Sequence, residues 1–187
     1  MEQKPSYIMP ALTNAIIVGV GLTVISLIVT YSTIGGEPTG SMFGPLTFMQ
    51  FGVCLIGSIA GILTVKGYAK MDGVELTLGN GAVIGLVTGL FLAVVITLLS
   101  YVWNNMIDPS LMDTMKNYMV NNMEMFFEKS GAMSGDALDQ MLGEVEKSFE
   151  EQKTMMGILK GFGYSVLGLG IVNLISGMIT AKVTAKD

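Results

Sequence analysis

Histidine and arginine are both missing from this chain, so its ten basic residues are all lysines. Without imidazole there is no Ser-His-Asp or Cys-His relay and no histidine-based zinc or haem site. Without guanidinium there is no bidentate clamp for phosphate. Cysteine occurs once, as Cys54 inside an apolar run, which removes intramolecular disulfides, CxxC redox pairs and thiolate metal clusters. The net charge is −5, whereas binding a nucleic acid depends on neutralising its phosphates. These absences point away from nucleic acid, away from a metal or other cofactor, and away from an enzyme.

Charge of either sign is also scarce. Charged residues make up 13% of the chain against 51% hydrophobic residues, and the mean hydropathy is +0.61, well outside the habit of soluble domains. The hydrocarbon core of a bilayer is about 30 Å thick, which an α-helix crosses in about 20 residues. Four runs of that order hold no Asp, Glu or Lys: 11–31, 46–65, 82–103 and 161–181, the last expected to belong to a helix entered at 157. The fold class predicted is all-α. It is an integral membrane bundle of four transmembrane helices, a single domain over 1–187, with an extramembrane helical hairpin over 108–153 between the third and fourth spans. The first run is longer than the roughly 7–15 residues of a signal-peptide core and no A-x-A follows it, so it reads as a retained span.

Four spans put both termini on one side. Lys4, Lys66, Lys70, Lys182 and Lys186 share that side, and the first loop has no lysine, which predicts cytoplasmic termini with the hairpin outside. Acidity is concentrated in the hairpin: 108–153 holds 10 acidic residues and 4 lysines, a net −6, leaving +1 elsewhere.

Asp108 and Pro109 read as a helix cap and a first-turn proline. Met112, Met115, Met119, Met123 and Phe126 then recur at spacings of three and four, on one helical face. "KSGAMSGD" ends that arm, and Asp136 caps a second one on which Leu138, Met141, Leu142, Val145, Phe149, Met156 and Leu159 continue the same period. No proline separates the second arm from the last span, so one long helix is expected, bending at Gly157, Gly161 or Gly163. An isolated arm of about 20 residues is marginal in water, so its apolar face needs the other arm, the membrane surface, a second copy or a partner. Thioethers do select Cu(I), and "MDTM" and "MEM" have plausible spacing. With no histidine or cysteine nearby, helical spacing favours packing, to which flexible methionine is suited. An acidic polar face also argues against a helix lying on the membrane surface.

Inside the runs no side chain ionises, which counts against a pump or coupled transporter. Asn14, Gln50 and Asn173 are expected to bond neighbouring helices. Glycines at four-residue intervals, Gly57 with Gly61, Gly81 with Gly85 and Gly89, and Gly157 with Gly161, allow helix backbones to approach closely. "GNGAVIG" at 79–85 opens a span and so is no nucleotide loop. In the second loop, Asp72 and Glu75 read as ordinary interfacial residues.

In order and texture the chain resembles a known family. An apolar first span and a short second loop lead to a glycine-rich third span closed by "YVWNNMIDP", and an acidic Met-rich hairpin precedes the last span. This pattern covers nearly the whole chain. It resembles bacterial inner-membrane proteins, common in Bacteroidota, catalogued as domain of unknown function 4199; Met106, Ile107, Asp108 and Pro109 are its most specific stretch. The resemblance implies a four-span inner-membrane protein with an extramembrane hairpin, and it brings no catalytic residues.

The expected function is that of a non-enzymatic accessory or assembly subunit of a larger inner-membrane complex. It would act through helix–helix and hairpin contacts, with membrane lipid and other subunits, or further copies of itself, as partners. The alternative is a small oligomeric channel, carrier or lipid-binding protein with a path lined by Thr88, Thr97, Ser165, Asn173 and Ser176.

Overall fold

The computed structural model describes residues 5–41, 43–71, 74–133 and 135–185; Lys4, Asp72 and Lys186 lie outside them. Among the described residues the chain is all-helical, with no strand. Its helices are α1 (Ile8–Ile34), α2 (Pro45–Ala69), α3 (Leu78–Val102), α4 (Leu111–Ser130), α5 (Asp136–Lys153) and α6 (Met155–Thr184). Four are long and apolar enough to cross a membrane: α1, α2, α3 with its extension to Ile107, and α6. The chain therefore fits a multi-pass membrane protein.

Helix boundaries follow local chemistry. Pro45 opens α2, at a position where its missing N–H costs nothing. Thr77 precedes α3, and its hydroxyl oxygen accepts the Asn80 N–H at 3.2 Å. At its far end α3 loosens into a π-helical turn, Trp103–Ile107, in which the Asp108 N–H donates to the Trp103 carbonyl at 2.8 Å. Gly131 ends α4 at φ +62°, and its N–H donates to the Phe127 carbonyl at 2.9 Å, a left-handed cap open to glycine.

Three expected boundaries are corrected. Asp108 does not cap a helix starting at Pro109. Its carboxylate closes a turn on Ser110, and α4 begins at Leu111. Asp136 lies inside α5, whose preceding cap is Gly135 at φ +61°. The second arm and the last span are not one helix either. Thr154 is extended, at φ −78° and ψ 155°, and its hydroxyl oxygen accepts the Gly157 N–H at 3.1 Å, so this side chain starts α6. A side-chain carbon on Gly157 would collide with the Glu151 carbonyl, so this glycine permits the tight joint without being the bend itself.

The described residues divide into two compact units. The first draws on Met1–Val24, Phe51–Leu99 and Phe162–Asp187, the second on Ile25–Gln50 and Ser100–Gly161. The first is a bundle with a core of mostly small residues. Ala15, Ala60, Leu92, Ala93 and Leu169 form one buried cluster, and Val65, Tyr68, Ile84 and Ala181 another. Tyr7 meets Tyr68 edge to face, 5.9 Å between ring centroids. In the second unit α4 and α5 pack antiparallel, with Leu111, Phe127, Leu138 and Phe149 buried.

Candidate functional site

In the first unit the decisive contacts are backbone against backbone. A side-chain carbon added to Gly85 would collide with the Asn173 carbonyl, and one on Gly81 with Ala181 and the Gly177 carbonyl. One on Gly89 would lie 2.5 Å from the Leu169 carbonyl and 2.9 Å from the Gly170 Cα. These three glycines thus form a seam between α3 and α6. On α2, a carbon on Gly57 would lie 2.7 Å from a Leu169 methyl, and one on Gly61 2.7 Å from Asn173 Oδ1. α6 is clasped on two sides.

Polar groups reinforce the same helix. Asn173 is fully buried; its Oδ1 accepts the Gly61 N–H at 2.8 Å and its Nδ2 donates to the Leu169 carbonyl at 2.9 Å. Ser176 Oγ donates to the Ser58 carbonyl at 3.3 Å and to the Asn173 carbonyl at 3.1 Å. Asn14 Nδ2 donates to Thr64 Oγ1 at 3.1 Å, tying α1 to α2. Thr88 is buried and donates to the Ile84 carbonyl four residues back, at 2.7 Å. Among the described residues, no buried side-chain nitrogen or oxygen lacks a hydrogen-bond partner. Lipid can supply none, so each of these groups is satisfied by protein.

The second unit carries three polar assemblies. In the first, Trp103 Nε1 donates to Tyr31 Oη at 3.1 Å, and Tyr31 Oη donates to Asp108 Oδ2 at 2.6 Å. The two rings meet edge to face, 6.5 Å apart. Ser110 donates its hydroxyl, at 2.6 Å, and its N–H, at 3.1 Å, to Asp108 Oδ1. The Ser110 hydroxyl and then the Tyr31 hydroxyl hold the Asp108 carboxyl below the usual carboxylate range. "MIDP" is therefore a knot joining the end of α1 to the end of α3.

In the second assembly, Asn122 Oδ1 accepts the N–H groups of Thr39 at 3.0 Å and Gly40 at 2.9 Å, while Nδ2 donates to the Ser41 carbonyl at 2.7 Å. Lys129 Nζ adds a bond to the Thr39 carbonyl at 3.2 Å. Gly40 has φ +66°, so the first loop is shaped to fit this amide.

The third assembly is a ring of four charges across α4 and α5. Lys153 Nζ lies 2.6 Å from Asp113 and 3.1 Å from Glu150; Lys116 Nζ lies 3.0 Å from Glu150 and 3.5 Å from Asp113. Lys153 lowers the Asp113 carboxyl, and Lys116 followed by Lys153 lowers that of Glu150. In return Glu150 raises Lys116, and Asp113 followed by Glu150 raises Lys153.

The sequence model of a family described as protein of unknown function (DUF4199) matches residues 13–182. The chain belongs to this family. The match reaches from α1 to α6 and so takes in the glycine seam, the "MIDP" knot and the charge ring. No curated protein and no solved structure matches the chain.

In this DUF4199 chain, the residues singled out in the sequence fall into separate groups. Gly57, Gly61, Gly81, Gly85 and Gly89 all face α6 at short range, whereas nothing lies within 4 Å of a carbon placed on Gly161. Met112, Met115, Met119, Met123 and Phe126 share α4 and are all half-buried. The fully covered neighbours are Leu111 and Phe127, the latter edge to face with Phe126 at 5.1 Å. Asn14 and Asn173 bond neighbouring helices, while Gln50 is exposed. Sequence reading missed Gly19, Gly170 and Gly177 as close contacts, although the seven-residue spacing of the last two on α6 was a usable signal. It also missed Asn122, whose amide partners are backbone groups that leave no trace in composition.

Proposed function

We propose that this protein is a non-enzymatic, multi-pass inner-membrane protein that works by contact, as an accessory or assembly subunit of a larger membrane complex. Both termini are cytoplasmic, and α4 and α5 form a hairpin on the periplasmic side. The supporting observation is how the polar groups of the spans are used. Asn173, Thr88 and Ser176 are bonded to helix backbone, and Asn173 and Thr88 are fully buried. Asn173 and Ser176 thus tie α6 to α2 and Thr88 is bonded within α3, so three of the groups that would line a solute path are already engaged. Polar side chains that face outward are concentrated instead on the α4–α5 pair, which carries most of the net −6 of 108–153. Partners of this reading are lipid around the spans and other membrane subunits at the hairpin.

The test is extraction from native membranes in a mild detergent, followed by mass spectrometry of what stays attached. A stoichiometric set of other membrane proteins, lost when Glu144 and Glu146 on the exposed side of α5 are changed to lysine, supports the reading. Recovery of the chain alone or only with copies of itself, together with solute flux in proteoliposomes that Asn173→Leu abolishes, would replace it with the channel or carrier reading.

A further inference from the structure

We propose that α5 is a detachable strap along α4, latched by the ring of Asp113, Lys116, Glu150 and Lys153 and released by ionic strength. Three independent observations carry this.

Both connections of α5 are articulated. Toward α4 the chain passes through Gly131 and Gly135, each at positive φ, and toward α6 it passes through Thr154 in extended backbone. A rigid rod between two such joints swings as a body, because φ and ψ changes at a few residues suffice.

The cover that α5 provides is thin. Its fully covered side chains are Leu138 near one end and Phe149 near the other, while Met141, Leu142 and Val145 between them are half-buried. On α4, Met112, Met115, Met119 and Met123 are half-buried as well. Few buried apolar contacts mark a segment that opens locally before the rest of the fold does.

The latch is electrostatic and lies within reach of salt. Each lysine binds both carboxylates, one on its own helix and one across the pair. The carboxylate side chains are 51% and 55% exposed, so dissolved ions reach them and screen the attraction. An apolar interface has no such sensitivity. When the ring is screened, α5 swings out and apolar side chains buried in the α4–α5 pair, Leu138 and Phe149 among them, are bared. This control of access rests on the reading that the α4–α5 pair makes the protein's contacts, but its test needs no partner.

The test is hydrogen exchange followed by mass spectrometry on the full chain in neutral-lipid nanodiscs at low and high potassium chloride. Amides of 138–150 should exchange about tenfold faster at high salt, with protection in 84–96 of α3 unchanged. Lys153→Glu should produce the fast exchange already at low salt. Combining Asp113→Lys with Lys153→Asp should restore slow exchange at low salt, because both contacts across the pair, 113 with 153 and 116 with 150, then still join opposite charges. Salt-independent exchange over 138–150, or acceleration shared equally by 84–96, would overturn the proposal. Failure here leaves the accessory-subunit reading to be judged by co-purification.

Discussion

At Asn173 a single carboxamide makes two hydrogen bonds where lipid offers none. Replacing it with leucine keeps the volume but removes both bonds, including the one that ties α6 to the Gly61 N–H of α2, and a lost hydrogen bond costs about 0.5–1.5 kcal/mol. Asn173→Leu should therefore lower the thermal unfolding midpoint in detergent. Gly85→Leu should lower it further, because the added side chain meets the Asn173 backbone, which cannot rotate away. Gly161→Ala should leave it unchanged. A Gly85 variant as stable as the parent would mean that the seam is not close-packed. Trp103, the single tryptophan, offers a second readout at this scale. Tyr31→Phe removes the acceptor of its indole N–H, and the emission maximum should shift. Asp108 has its carboxyl lowered by Ser110 and Tyr31, so its contribution is present above the ordinary carboxylate value and is lost as pH falls through the lowered one. Trp103 emission should stay constant through the neutral range and change only in strong acid. The importance of Asn173 was legible in part, since a carboxamide in a charge-free run needs a partner. Which partner it finds depends on the rotation of α6, and one sequence does not state that.

Among the elements, the spans were the most legible, because a bilayer of fixed thickness dictates their length and tolerates no charge. Glu, Lys and Asp bracket the runs, and the helices extend beyond them on both sides. Their joints were less legible. Nothing in "QKTMMG" distinguishes a continuing helix from a stop followed by a new cap. The difference lies in the Thr154 backbone, extended at ψ 155°, which lets its hydroxyl accept the Gly157 N–H while donating to the Glu151 carbonyl at 2.6 Å. Thr154→Ala should loosen the start of α6 by about 1 kcal/mol, seen as faster amide exchange at 157–160. Unaltered exchange there would remove Thr154 from its capping role. The charge ring adds a pH window. Its carboxyls are lowered, so their contribution disappears as pH falls through the lowered values; its lysines are raised, so theirs disappears as pH rises through the raised ones. The α4–α5 pairing should thus be insensitive to pH across the neutral range and weaken only in strong acid and strong alkali. Salt, unlike mild acid, is the variable that reaches it.

Across the whole molecule, charge is distributed by segment. Lysines flank the end of α2 and the end of α6, and most of the acidity belongs to α4 and α5. With Cys54 changed to alanine, a cysteine at Gln140 should react with a membrane-impermeant maleimide in intact spheroplasts. One at Thr184 should react only after permeabilisation. The opposite pattern would invert the proposed orientation. The α3–α6 seam also sets an order of events during synthesis. Gly81, Gly85 and Gly89 are made long before Leu169, Asn173, Gly177 and Ala181, with both α4 and α5 translated in between. Until α6 leaves the ribosome, the glycine stripe of α3 has none of its final neighbours, and the bundle remains open on that side. Closure of the bundle consequently waits for α6, and a nascent chain stalled before Met155 would present that stripe to whatever insertion machinery holds it.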